Sequence, residues 1–341
     1  MNTYSSPVRV GIAGATGYAG QELVGLLARH PQVRLEAAMS SSADSAARPL
    51  PRLARIWDGK VEPLNPKRLA SETDLVFLAV PENAAADLAP PLVDAGVRVI
   101  DLSGAFRIRD DAARSRWYPA TRTLPSGAAY GLTEHYKDDV RDAVLVANPG
   151  CYPTAALLAL LPLAKAGLLD VEAGVVIDAK SGISGAGRAP SDRTHFSENH
   201  GSVSAYGVFG HRHVAEMEQE LGGSVTFVPH LVPLDRGILE TIYVKVRTGT
   251  TAEQISDVFQ QAYDHEPFVR LTGDALPEIK HVAWTNFCDI GWRLEPGSRR
   301  LVIVTCLDNL VKGAAGQALQ NFNVACGFDE RTALLSRGPS C

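Results

Sequence analysis

The 341-residue sequence lacks the features that mark disulfide-rich, zinc-binding and membrane-spanning proteins. Its five cysteines, an odd number, stand at positions 151, 288, 306, 326 and 341. None of them has Cys-x-x-Cys spacing, which argues against a disulfide framework or a structural zinc site. No apolar run reaches the roughly 18 residues that a bilayer requires, and the first residues do not read as a signal peptide. We therefore expect no metal, no membrane partner and a cytoplasmic location, where a free thiol persists.

An excess of charge of one sign is also missing. The formal net charge is -5, from 33 basic and 38 acidic residues, so nothing suggests a nucleic-acid partner. Hydrophobic residues make up 45% and charged residues 21%, as in an ordinary globular enzyme. The length allows two domains.

Short apolar runs alternate with helical segments through the first 148 residues. The near-continuous apolar character of these runs is typical of parallel strands that are buried on both faces. We predict an α/β domain with a doubly wound parallel (Rossmann) sheet. The predicted strands are 8–13, 33–39, 75–80, 97–101 and 144–147, and the predicted helices between them include 21–29 and 83–95.

The second half has a different pattern, in which strands follow one another across short turns, as in antiparallel sheets. We predict an α+β catalytic and oligomerisation domain over residues 149–309, with a mostly antiparallel sheet. Residues 310–341 carry a last helix, 313–325, which is expected to join residues 1–148 in the dinucleotide-binding domain. The predicted elements are a helix at 155–169 and strands at 175–180, 225–232, 239–246, 286–292 and 301–307.

A glycine-rich turn follows the first strand, with glycines at positions 11, 14, 17 and 20. Glycines are needed where backbone N–H groups approach a pyrophosphate at a helix N-terminus. The spacing differs from the common G-x-G-x-x-G, but the setting between a strand and a helix favours a dinucleotide site over a simple connection. We predict cofactor contacts from Gly14, Thr16, Gly17 and Tyr18.

The end of the second strand indicates which dinucleotide binds. An NAD enzyme usually has an acidic residue there for the ribose 2′-hydroxyl, whereas this chain has Ser40 and Ser42, with Arg48 nearby. Hydroxyl groups and a guanidinium suit a 2′-phosphate, so NADP(H) is favoured, although Asp44 is a complication. Pro81 ends the third apolar strand, where a cofactor is expected to lie.

Cys151 differs from the other cysteines because it stands in the turn Asn-Pro-Gly-Cys-Tyr-Pro-Thr before an apolar helix. Pro153 suits a first helical turn, so Cys151 is expected at or just before the helix N-terminus. The N–H groups and dipole there stabilise a thiolate and can hold an oxyanion. Cys288 and Cys306 lie in apolar strands and read as buried residues.

Motifs along almost the whole chain resemble those of the N-acetyl-gamma-glutamyl-phosphate reductase family, relatives of the aspartate-semialdehyde dehydrogenases. Two positions depart from the family pattern, which more often has Asp at Ala105 and Pro at Ala215. Neither is the nucleophile. The matching stretches are GATGYAG (14–20), DLSGAFR (101–107), YGLTE (130–134), NPGCYPT (148–154), SGISGAGR (181–188), HRHVAEMEQEL (211–221), PHLVPLDRGIL (229–239) and DNLVKGAAGQALQNFN (308–323).

The resemblance implies an NADPH-dependent reduction of an acyl phosphate to a semialdehyde through a thioester on Cys151. It favours His213 over His211 as the acid–base group, and His195, His200 and His230 are runners-up. Two residues apart, the two histidines are not expected to share a face, so only one should meet Cys151. The matching motifs also supply arginines for the substrate anions, namely Arg107, Arg188 and Arg212, with Arg236 as a further candidate. They supply cofactor contacts as well, namely Ser181, Gly182 and Asn309. Relatives are commonly dimers or tetramers, so we expect a homo-oligomer.

Three alternatives stay open at this point. The same chemistry could act on an aminoadipyl or aspartyl phosphate, since chain-length specificity depends on pocket shape. The chain could instead be a non-catalytic NADP-binding regulator, for which Cys151 would be dispensable. It could also be a non-phosphorylating aldehyde dehydrogenase, which would turn over without phosphate.

Overall fold

The computed structural model describes residues 6–335, and the chain folds as two compact units. The first unit holds the residues up to Pro149 together with those from Ala314 onward, and the second unit holds Gly150–Gly313. Each unit has its own sheet.

The first unit contains a six-stranded sheet in the order β2-β1-β5-β6-β8-β7, in which every neighbouring pair is parallel. Its strands are β1 (Val8–Ala13), β2 (Val33–Met39), β5 (Leu75–Leu78), β6 (Arg98–Asp101), β7 (Ala128–Tyr130) and β8 (Leu145–Ala147), with a separate hairpin of β3 (Arg48–Pro49) and β4 (Lys60–Val61). The predicted doubly wound parallel sheet is confirmed. The edge strand β7 was not predicted, because its Ser-Gly-Ala-Ala-Tyr sequence reads as a turn.

Helices cover both faces of this sheet. The sequence of β5 is apolar throughout because both faces of the strand are buried. Leu75 and Phe77 belong to one buried cluster, and Val76 and Leu78 belong to another on the opposite face. All four side chains are at most 1% exposed, so neither face of the strand tolerates a polar residue. The helices are α1 (Tyr18–Leu27), α2 (Pro66–Glu72), α3 (Glu82–Asp94), α4 (Asp111–Trp117) and α5 (Thr133–Asp142).

The second unit contains a seven-stranded mixed sheet in the order β10-β11-β9-β12-β15-β14-β13. Four of its six neighbouring pairs are antiparallel, and β11·β9 and β13·β14 are parallel. The mostly antiparallel α+β domain is therefore confirmed. Its elements are α6 (Cys151–Lys165), β9 (Val175–Gly182), α7 (Phe196–Asn199), β10 (Ser204–Ala205), α8 (His213–Leu221), β11 (Val225–Val232), β12 (Ile238–Lys245), α9 (Ala252–Tyr263), β13 (Val269–Leu271), α10 (Ile279–Val282), β14 (Cys288–Leu294) and β15 (Arg300–Leu307).

The central helix α6 is buried from Tyr152 to Leu163 and packs on β12, β15, α8 and α9. The predicted start of this helix at residue 155 is wrong, because the helix begins at Cys151 itself. Pro153 does not interrupt it, since the first N–H groups of a helix have no intrahelical acceptor. The first intrahelical bond runs from the Thr154 N–H to the Gly150 carbonyl, at 2.9 Å.

The chain after β15 enters a π-helical turn, Val311–Ala315, and continues as the helix α11 (Gly316–Cys326). Every residue of α11 is buried, and the helix contributes Phe322 and Leu319 to a core cluster of the first unit. Among residues 6–335 the longest apolar helices are too short for a membrane crossing.

Candidate active site

Cys151, the predicted nucleophile, is the first residue of α6. Cys151 is half-buried, and Gly150 before it has an extended backbone with φ -67° and ψ 155°. Gly150 has no side chain with which to cap the helix. Cys151 therefore lies at the positive end of the α6 dipole, and the predicted position at the helix N-terminus is confirmed.

A histidine ring lies directly against the backbone of Gly150. A Cβ atom added to Gly150 would fall 2.5 Å from Nε2 of His213 and 2.8 Å from Cδ2 and Cε1. Because no real Cβ approaches other atoms that closely, the His213 ring can keep this position only beside a glycine. The structure thus brings His213 beside the residue that precedes Cys151.

Glu216 connects the histidine to the turn. His213 is the first residue of α8, so Glu216, three residues on, lies on the same face of that helix. Its side chain is fully buried, its Oε2 accepts the Gly150 N–H at 3.0 Å, and its Oε1 lies 3.9 Å from Nε2 of His213. One carboxylate therefore binds the backbone of the Pro-Gly-Cys turn and lies close to the His213 ring, outside hydrogen-bond distance. In sequence it looks like one of several solvated glutamates in EMEQE, and only the short i,i+3 spacing from His213 pointed to it.

His211 has a different environment from His213. Its ring contacts Phe227, Tyr206 and Tyr152 at centroid distances of 5.3, 5.6 and 5.8 Å. Burial, and to a smaller extent the charge of Arg212, lowers the pKa of His211 to about 4. Its Nδ1 accepts the His213 backbone N–H at 3.2 Å. His211 is therefore neutral at physiological pH and supports the start of α8.

The expectation that the two histidines do not share a face is wrong. Their ring centroids are 4.7 Å apart, because His211 precedes α8 while His213 begins it. The helical rule for residues two apart does not apply across the helix boundary.

Two tyrosines that the sequence did not single out line the same region. The hydroxyl groups of Tyr152 and Tyr206 lie 3.2 Å apart. Burial raises the pKa of Tyr206 to about 12 and raises that of Tyr152 further, so both hydroxyls stay protonated. The only sequence signal for Tyr152 was its position directly after Cys151.

The predicted substrate arginines lie in three different settings. In the first unit, Arg107 is buried, and it donates from Nε to the Asn148 carbonyl at 2.7 Å and from Nη2 to the Leu102 carbonyl at 2.8 Å. In the second unit, Arg188 lies in the exposed segment after β9, and Arg212 is exposed just before α8. Their contact with substrate stays a prediction.

The glycine-rich turn of the first unit packs tightly between β1 and α1. Gly14 has φ +92°, which suits glycine, and a Cβ there would collide with the Ala79 carbonyl. The N–H groups of Gly14 and Ala15 both donate to the Met39 carbonyl at 2.8 Å. Gly17 is the N-cap of α1, without a side-chain cap. A pyrophosphate can therefore approach the start of α1 closely. Thr16 and Tyr18, also predicted, flank Gly17 in this turn.

The residues predicted to select the dinucleotide follow β2 and β5. Ser40 is buried and donates to the Ser42 carbonyl at 2.7 Å. The Oγ of Ser42 accepts the Asp44 N–H at 3.2 Å. Arg48 is exposed in β3, and Pro81 is the N-cap of α3.

The other predicted cofactor contacts, Ser181, Gly182 and Asn309, lie in the second unit. Ser181 is buried and donates to the Gly182 carbonyl at 3.0 Å. The Asn309 amide is engaged at both ends, since it accepts the Gly237 N–H at 2.7 Å and donates to Oγ of Ser184 at 3.0 Å. Asn309 thus joins two turns within this unit.

Residues 9–143 match the family described as semialdehyde dehydrogenase, NAD binding domain. Residues 151–309 match the family described as semialdehyde dehydrogenase, dimerisation domain. The first match indicates a nicotinamide dinucleotide as the cofactor.

Relatives match over nearly their full length. The chain is 45% identical to the N-acetyl-gamma-glutamyl-phosphate reductase of Desulforapulum autotrophicum, with 96% of this chain and 98% of that protein covered. It is 46% identical to the enzyme of the same name from Symbiobacterium thermophilum, with coverage of 97% and 99%.

Solved structures with this fold are aspartate-semialdehyde dehydrogenases. That of Vibrio cholerae, type II, has a TM-score of 0.72 at 19% identity, with 94% of this chain and 98% of that chain covered. That of Candida albicans, solved with NADP, has a TM-score of 0.68 at 17% identity, with the same coverage. At this identity the likeness shows the fold alone.

Proposed function

Because the chain belongs to the N-acetyl-gamma-glutamyl-phosphate reductase family of semialdehyde dehydrogenases, we propose that it reduces N-acetyl-gamma-glutamyl phosphate to N-acetylglutamate 5-semialdehyde and phosphate. This is a step of arginine biosynthesis. The observation that carries the proposal is the thiol of Cys151 at the start of α6, with the His213 ring against the preceding residue.

The first step is acyl transfer to the thiol. His213 accepts the Cys151 proton, and the thiolate attacks the γ-carbonyl carbon. A carbon–sulfur bond forms, the carbon–oxygen bond to phosphate breaks, and inorganic phosphate leaves. The N–H groups at the start of α6 stabilise both the thiolate and the tetrahedral oxyanion.

The second step is reduction of the thioester. A bound reduced nicotinamide supplies the hydride that the thioester carbon accepts. The resulting thiohemiacetal on Cys151 collapses, with cleavage of the carbon–sulfur bond and formation of the aldehyde. His213 returns its proton to the sulfur. Glu216 holds the Gly150 backbone in position throughout, by accepting its N–H.

We propose NADP(H) as the preferred cofactor. The chain continues from Met39, the last residue of β2, into serines rather than an acidic residue, so no carboxylate at that strand end repels a 2′-phosphate. Ser42 and Arg48 supply a hydroxyl and a positive charge in the segment that follows.

We also propose that a second copy of this chain covers the sheet face of the second unit that α6 does not cover. The cross-strand neighbours Val176 and Tyr243 are 39% and 45% exposed on that face. Exposed apolar side chains in the middle of a sheet suit a protein interface, and this unit matches a dimerisation domain. Tyr243→Arg should shift the molar mass measured by light scattering to that of a monomer, whereas Tyr243→Phe should leave it unchanged.

The decisive assay follows NADP reduction with N-acetylglutamate semialdehyde, with and without phosphate. Phosphate-dependent turnover in the wild type, lost in Cys151→Ala and kept in Cys326→Ala, supports the proposal. Turnover without phosphate would indicate a non-phosphorylating dehydrogenase. Faster turnover of aspartate or aminoadipate semialdehyde would indicate the homologous substrates. Cofactor binding with no turnover of any aldehyde would indicate a regulator.

A further inference from the structure

Gly313, in the π-helical turn after β15, packs directly against Cys151. A Cβ atom added to Gly313 would lie 2.7 Å from Cβ and 3.2 Å from Cα of Cys151. Carbon atoms in contact are normally about 3.5–4.0 Å apart. The backbone of Gly313 therefore packs against Cys151 at a distance that leaves no room for any side chain.

Space, and not backbone conformation, makes glycine necessary here. Gly313 has no positive φ, so an alanine could adopt its backbone angles. The same added Cβ would lie 3.2 Å from Cδ1 of the fully buried Leu307. The added methyl group would be too close to both Cys151 and Leu307. Either the turn or the cysteine must therefore move.

The turn itself is firmly held. The Gly313 N–H donates to the Asp308 carbonyl at 2.8 Å, five residues back, which is the wide bond of a π turn. The fully buried Asp308 carboxylate accepts the N–H groups of Leu310 and Val311 through Oδ1, at 2.8 and 3.1 Å.

Asp308 also ties the turn to other parts of the same unit. Its Oδ2 accepts the Trp284 N–H at 2.6 Å and pairs with Nη1 of Arg236 at 3.1 Å. The Arg236 guanidinium in turn stacks on the Trp284 ring, with Cζ 3.3 Å from the centroid. A turn with this many buried bonds resists displacement, so a methyl group on Gly313 should displace Cys151.

We infer that Gly313 is a positioning residue for the nucleophile. The π turn is held in place by its buried hydrogen bonds. Its contact with Cys151 sets where the Cys151 side chain lies at the start of α6 and relative to His213. This inference rests on the proposed role of Cys151. The π turn, which sequence patterns do not reveal, then has a role at the site, and π turns are often found at functional sites.

The test is Gly313→Ala, with Gly25→Ala as the matched control. Gly25 is also a helical glycine, and a Cβ there meets only Cδ2 of Leu53, at 3.2 Å. In Gly313→Ala we expect kcat to fall roughly 10- to 100-fold, as for other small misplacements of reacting groups, with KM unchanged. In Gly25→Ala both should stay at wild-type values.

A second readout needs neither substrate nor hydride transfer. The rate at which iodoacetamide alkylates Cys151 is followed against pH by mass spectrometry of its peptide. A thiolate displaced from the helix N-terminus and from His213 is less stabilised, so the midpoint of this profile should move to higher pH in Gly313→Ala. An unchanged profile, or an unchanged kcat, overturns the inference. Absence of phosphate-dependent turnover in the wild type overturns the proposed function instead.

If Gly313→Ala gives no folded protein, the same two measurements are made on Gly313→Ala/Leu307→Val. Removing Cδ1 of Leu307 relieves the contact in the core and leaves the contact with Cys151. A shifted alkylation profile in this variant supports the positioning role. A wild-type profile overturns it.

Discussion

The ring of His213 packs on the backbone of Gly150, so that a methyl group on Gly150 would fall 2.5 Å from Nε2. Gly150 has ordinary extended angles, and alanine is therefore excluded by the ring and not by the backbone. We expect Gly150→Ala to push the ring away from Cys151 and to lower kcat by about 100-fold. Stopped-flow and steady-state assays would measure the loss, and an unchanged kcat would contradict this explanation.

The two histidines should differ sharply when each is replaced by asparagine. His213→Asn removes the proposed acid–base group, and the expected loss of kcat is about 10²- to 10⁴-fold. His211 is neutral because burial lowers its pKa to about 4, so His211→Asn should reduce kcat much less. Equal losses in the two variants would show that His211 takes part in proton transfer.

The proposed preference for NADP(H) should weaken when a negative charge is added at Ser42. In Ser42→Asp the new carboxylate can still accept the Asp44 N–H, as the Ser42 hydroxyl does, so the turn should persist. The charge would repel a 2′-phosphate, and we expect kcat/KM for NADPH to fall by about tenfold or more, equivalent to roughly 1.4 kcal/mol. The value for NADH should change little. Ser42→Asn, similar in shape and uncharged, is the control, and parallel losses for both cofactors would argue against a 2′-phosphate at this position.

The elements that sequence patterns predicted well are those whose pattern is local. Leu75–Leu78 reads as a buried parallel strand because each of its side chains is apolar, and the Pro-Gly turn before Cys151 gives the helix start to within a few residues. The position of Cys151 at a helix start was therefore accessible from the sequence.

The parts of the candidate site that sequence patterns missed depend on contacts between distant segments. Glu216 is buried only because its carboxylate meets the Gly150 N–H, 66 residues away in sequence. Gly313 matters because a π turn, which no local pattern marks, meets Cys151. Likewise, His211 and His213 touch because a helix begins between them.

Glu240 should make the stability of the protein depend on pH. Its side chain is 0% exposed to solvent. Among the described residues, neither of its carboxyl oxygens has a hydrogen-bond partner. Burial raises its pKa well above the usual 4.5, because charging the group without solvation is costly.

The sign of the effect follows from proton linkage. Since the folded state holds the Glu240 proton more tightly than the unfolded state, its contribution to stability is fully present below about pH 4.5 and is lost as the pH rises through the folded-state pKa. Glu240→Gln stays uncharged, so its free energy of unfolding relative to wild type should increase steadily from acidic to alkaline pH. Urea unfolding at several pH values measures this difference. The exposed Glu172→Gln is the control, and a difference for Glu240→Gln that does not vary with pH would mean that Glu240 is ionised in the folded protein.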